Sequence, residues 1–115
     1  MDVDGLRTFE GVTLEGWPTS GVIMCIRNQI FGGGDRYYYV GSYRLRGQTI
    51  EIEAHVSHYH GAAYSSLAGG MPDFAVHYHG RVMAGSEMIQ GELYRADNPY
   101  LNLPLQLVRR AVLPA

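Results

Sequence analysis

The sequence predicts an all-β protein of a single domain: an eight-stranded antiparallel up-and-down barrel with one short helix. Three observations lead there. Fifteen glycines divide the 115 residues into short stretches, apolar residues alternate with polar ones inside those stretches, and amphipathic helical periodicity is nearly absent. Strands with one apolar face each can bury that face by closing on themselves, which also abolishes exposed edges. A chain of this length supports one hydrophobic core and leaves no room for a second domain.

Strands are expected near 6–15, 20–27, 29–32, 36–46, 49–59, 73–83, 87–95 and 103–112. The second contains Val22-Ile23-Met24-Cys25-Ile26, apolar at both parities, so either Ile23 with Cys25 or their neighbours must face outward. The third runs into Gly32-Gly33-Gly34. That triplet does not read as a phosphate loop, because Tyr37-Tyr38-Tyr39-Val40 follows it and favours strand over the helix such a loop requires. It reads as a corner, where glycine supplies backbone angles closed to other residues.

The fourth and fifth strands form the clearest local unit. Gly47-Gln48 can make a two-residue hairpin turn, and counting outward pairs Leu45 with Ile50, Tyr43 with Ile52, Gly41 with Ala54, Tyr39 with Val56 and Tyr37 with His58. By the two-residue period these pairs share the core face. Arg44 opposite Glu51 and Ser42 opposite Glu53 take the solvent face, and a slip of one residue would bury both acids. In the sixth strand Phe74, Val76, Tyr78, Gly80 and Val82 face inward and His77, His79 and Arg81 outward. In the seventh, Ile89, Gly91 and Leu93 face inward. Between the fifth and sixth strands, Ala62 to Ala68, closed by Gly69-Gly70, is the one helix candidate, and the loop from His60 to Asp73 is expected to cover a barrel end.

The inward set mixes Tyr37, Tyr39, Tyr43 and Tyr78 with Gly41, Ala54, Gly80 and Gly91. Large against small is what filling a tapered barrel requires, and the pattern favours a filled interior over a cavity. Should a cavity exist, Tyr37, Tyr39, Tyr43, His58 and Tyr78 are its candidate ligand-binding lining, for a small apolar ligand. Tyr37, Tyr39, His58 and Tyr78 form the alternative, an acid-base enzyme site. Ser65 and Ser66 lack a nucleophile elbow or a positioned base, so no catalytic residue is assigned and no cofactor is expected.

Five histidines raise the question of a metal. His55, His77 and His79 fall on the outer face, with Glu53 as an added oxygen donor, whereas His58 and His60 lean inward. Parity therefore divides the set, and the reading is surface histidines without a metal. Cys25, the only cysteine, lies in an apolar run and reads as a buried, inert thiol. Nine arginines, no lysine and eleven acids give a formal charge of -2, which advertises neither a nucleic-acid surface nor a polybasic membrane patch. Met1-Asp2-Val3-Asp4 lacks the profile of a secretory signal and no apolar run is long enough to span a membrane. The expected location is cytoplasmic.

Gly21-Val22-Ile23, then Arg27-Asn28-Gln29-Ile30-Phe31-Gly32-Gly33-Gly34-Asp35, Tyr38-Tyr39-Val40-Gly41-Ser42-Tyr43, His55-Val56 and Tyr59 together resemble the GrlR-like family of type III secretion negative regulators. The likeness extends through Phe74 and Gly80 to the last strand. It implies a small lipocalin-like barrel that forms a homodimer and acts by holding a transcriptional activator, without touching DNA. One departure is plain: the family's acidic contact loop corresponds here to Leu45-Arg46-Gly47-Gln48-Thr49, which has an arginine and no acid. Independently of the resemblance, Tyr38 and Val40 are left on the outer face, and such surplus apolar residues point to a homodimer interface.

Overall fold

Each strand pairs with the next in sequence, and the last pairs back with the first to close the barrel. The computed structural model describes residues 3–12, 18–61, 73–83, 85 and 87–113. The strands are β1 (Gly5–Val12), β2 (Pro18–Ile26), β3 (Gln29–Gly33), β4 (Tyr37–Arg46), β5 (Thr49–His58), β6 (Asp73–Val82), β7 (Met88–Arg95) and β8 (Asn102–Ala111). No helix occurs among the described residues. The expected helix at Ala62 to Ala68, and most of the loop expected to cover a barrel end, lie outside them.

The β4–β5 register is the expected one from Arg46 opposite Thr49 to Tyr37 opposite His58. Gly47 supplies the left-handed angle of the turn, at φ 62°. Burial follows the alternation through β6, where Phe74, Val76, Tyr78, Gly80 and Val82 are buried between exposed or half-exposed neighbours. In β2 the choice left open by the sequence falls to Ile23 and Cys25, which are buried at 6% and 0% exposure, leaving Val22 outside at 44%.

The glycine triplet needs correcting in its physical reason. The positive-φ residues of the neighbouring turn are Arg27 and Asn28, and none of the three glycines has such an angle. What Gly32 supplies is close approach: a Cβ there would lie 2.0 Å from the Val22 carbonyl oxygen, far inside contact distance. Gly41 and Gly91 are in the same position, with a Cβ falling 2.0 Å from Glu53 O and 1.9 Å from His79 O respectively. Three of the barrel's strand contacts are thus tighter than any side chain permits.

The barrel has two unlike ends. Short turns at 27–28 and 47–48 mark one, together with both termini of the described chain; the segments 34–36, 59–61 and 96–101 mark the other. At the turn end the chain before β1 folds under the barrel. Val3 is 1% exposed, and Arg7, at 0%, is the largest fully buried side chain among the described residues. Its Nε donates to Val3 O at 3.0 Å and its Nη1 to Glu87 O at 3.3 Å, the kind of satisfaction a buried guanidinium requires. The Asp4 carboxylate accepts from Arg27 N at 3.1 Å and from the Tyr43 hydroxyl, and Arg109 Nη1 donates to Asp4 O at 3.3 Å. Asp4 thereby ties the N-terminal segment to the β2–β3 turn, to β4 and to β8.

Candidate functional site

All five residues expected to line the barrel turn toward its interior or mouth, yet they do not converge. Tyr37 is buried at the loop end, its ring 5.3 Å from His58 and 6.2 Å from Phe74. Above Phe74, at 5.1 Å, lies the guanidinium of Arg95, clamped by both carboxylate oxygens of Asp97 at 2.9 and 2.7 Å. That clamp holds the Asp97 carboxyl below its usual range. Tyr39 sits one layer deeper, edge-on to Phe9 at 5.5 Å. Tyr43 is six residues from Tyr37 along the same strand, about 20 Å at strand rise, and belongs to the opposite end, bonded to Asp4.

Tyr78 is enclosed in the core, where its hydroxyl donates to Leu105 O at 2.8 Å. Burial raises the pKa of both Tyr78 and Tyr43, and the bond to Asp4 adds to the rise at Tyr43. These hydroxyls hold their protons firmly and are committed to structural acceptors. Burial likewise pushes the Cys25 thiol up to about 11, partly opposed by Arg7. It is buried as expected, and it is a poor nucleophile in that state. The interior around these groups is occupied by two packed clusters. One includes Phe9, Ile23, Ile30, Ile50, Ile89 and Leu107; the other comprises Tyr37, Val56, Phe74 and Val76; Tyr39, Ala54 and Leu93 touch both.

The outward histidines each meet an acid across the β5–β6 seam: His55 with Asp73 at 3.9 Å, His77 with Glu53 at 3.9 Å and His79 with Glu51 at 3.5 Å. Tyr94 stacks on His77 at 5.6 Å and 14°. Among the described residues no three such side chains are grouped to hold a metal ion.

The outer face of β2, β3 and β4 is different in kind. Register places Leu6, Met24, Phe31 and Val40 in one line across the sheet, and Thr8, Val22, Gly33 and Tyr38 in the next. Phe31, Tyr38 and Val40 are 45%, 47% and 55% exposed. Tyr59 extends this surface, its ring 6.3 Å from Tyr38 and its hydroxyl bonded to Gly34 O. The sequence reading singled out Tyr38 and Val40 but passed over Phe31 and Tyr59. Parity could have found Phe31, because Ile30 inward forces its neighbour outward. Tyr59 follows the last residue of β5, beyond the reach of alternation.

No protein-family model matches the chain, and no curated protein is significantly similar to it in sequence. The chemistry of these surfaces therefore carries the functional reading.

Proposed function

We propose that the protein is a non-enzymatic binding barrel that works through protein contact, with the outer face of β2, β3 and β4 as its contact surface. The observation that carries this is the contiguity of Val22, Phe31, Tyr38 and Val40, each 44–55% exposed on adjacent strands. Apolar patches of that kind mark association sites. The first occupant is a second copy of the chain, since a two-fold dimer uses one patch on both subunits. The resemblance to type III secretion regulators supplies the context, restraint of a transcriptional regulator. The family's acidic contact loop is replaced here by 45–49 with Arg46, which moves the expected contact from that loop to the apolar face. The firmly protonated Tyr43 and Tyr78 and the packed clusters favour binding over the enzymatic alternative.

Native mass spectrometry of gently purified protein tests this reading. A species of twice the 12.8 kDa chain mass without a retained small molecule supports it. A monomer carrying a bound small molecule would instead favour the barrel-lining ligand site at Tyr37, Tyr39 and His58.

A further inference from the structure

A trough of about 1090 Å³ crosses the outer faces of β7, β8, β1 and β2, away from the apolar face of β2–β4 apart from Val22 at its rim. One line of polar side chains runs across it: Gln90 is opposite Gln106, Gln106 opposite Glu10, and Glu10 opposite Ser20. Arg110 lies alongside, its Nε donating to the Thr8 hydroxyl at 2.8 Å. Glu10 is two residues from Thr8 on the same face of β1, about 6.7 Å along a strand. The trough therefore holds an anion at Glu10 and a cation tied to Thr8, two residues away on the same face of β1, and among the described residues Glu10 has no ion-pair partner.

We propose that this trough binds a short peptide of two or three residues with free termini. Its ammonium group meets Glu10 and its carboxylate meets Arg110, which matches the two charges by sign. An extended peptide spans at most about 3.3–3.6 Å per residue, so two residues fully extended, or three partly so, cover the offset between Thr8, where Arg110 is tied, and Glu10. The carboxamides of Gln90 and Gln106 each offer an acceptor oxygen and donor hydrogens, the complement of a peptide group. Val22 and Pro104 provide apolar wall for small side chains. A neutral sugar would leave both charges unused, and a simple anion would face Glu10. The inference goes beyond the protein-contact reading, with whose surface the trough shares Val22.

The test is an amide NMR titration of the nitrogen-15-labelled chain with three probes: Ala-Ala-Ala, the same tripeptide acetylated and amidated at its ends, and maltotriose. Free Ala-Ala-Ala is expected to shift amides at 8–11, 20–22, 90–91 and 105–110, saturating at about millimolar concentration. Capping its ends should weaken binding about tenfold or more, because charge-assisted hydrogen bonds are lost. Glu10→Gln should weaken the free tripeptide similarly, while the remaining spectrum stays that of the wild type. The proposal is overturned if the free tripeptide shifts none of these amides, if the capped form or maltotriose binds as well, or if Glu10→Gln binds unchanged.

Discussion

Replacing Tyr38 with glutamate separates association from folding. Tyr38 points away from the core and is 47% exposed in the single chain. About 200 Å² is a typical area for burying an aromatic side chain, so a partner covering the ring removes roughly 95 Å² from water. At about 25 cal/mol per Å² that is about 2.4 kcal/mol per ring, and a two-fold interface counts it twice, about 5 kcal/mol. One factor of ten in affinity corresponds to about 1.4 kcal/mol, so Tyr38→Glu is expected to weaken self-association at least about a thousandfold. Forcing two like charges into the interface adds to the loss. Sedimentation equilibrium at micromolar concentration reads the association, and thermal unfolding, extrapolated to the monomer, reads the fold. The expected result is a wild-type dimer and a folded monomeric variant. A wild-type chain that stays monomeric through that range, or a Tyr38→Glu chain that dimerises equally well, would refute the argument.

Gly41→Ala is expected to destabilise the barrel by about 2 kcal/mol or more, since its Cβ would collide with the Glu53 carbonyl at 2.0 Å and backbone must move. Gly47→Ala meets nothing within 4 Å and should lose only about 1–2 kcal/mol from its left-handed angle; urea unfolding of the pair gives the order. Alkaline pH should also weaken the fold. The pKa values of Cys25, Tyr43 and Tyr78 are raised by folding, so the unfolded chain releases these protons first. Their contribution is complete below the unfolded values, near 8.5 for cysteine and 10 for tyrosine, and is lost as pH rises from there through the folded ones, about 11 for Cys25 and higher for the tyrosines. Denaturant titrations from neutral to alkaline pH should show this decline, and a shallower one in Tyr78→Phe.

How much was legible beforehand depends on the range of the interaction concerned. The β4–β5 register followed from a two-residue turn and alternation, because a slip would have buried Glu51 and Glu53, and the observed pairs agree from Arg46–Thr49 to Tyr37–His58. Inward and outward sides were legible wherever one parity was polar, as in β6. They were not legible in Val22-Ile23-Met24-Cys25-Ile26, where both parities are apolar and only pairing with β1 and β3 within a closed wall decides that Cys25 enters the core. The candidate site shows the same division. Local pairing brings Tyr37 and His58 together and sets Tyr43 at the turn end, whereas the bond from Tyr43 to Asp4 joins residues 39 apart in sequence and was not legible.

By itself, then, the sequence determined the strands, the hairpin register and the face taken by each alternating residue, all consequences of a two-residue period and one turn. Tertiary structure alone decided the rest: the burial of Arg7 over Val3, the need for Gly32 and Gly41 as close contacts, and the alignment of Phe31 with Val40 and of Gln106 with Glu10. Each of those depends on which strands become neighbours when the sheet closes and how tightly it coils. Closure is a property of all eight strands together, and no local stretch of residues encodes it.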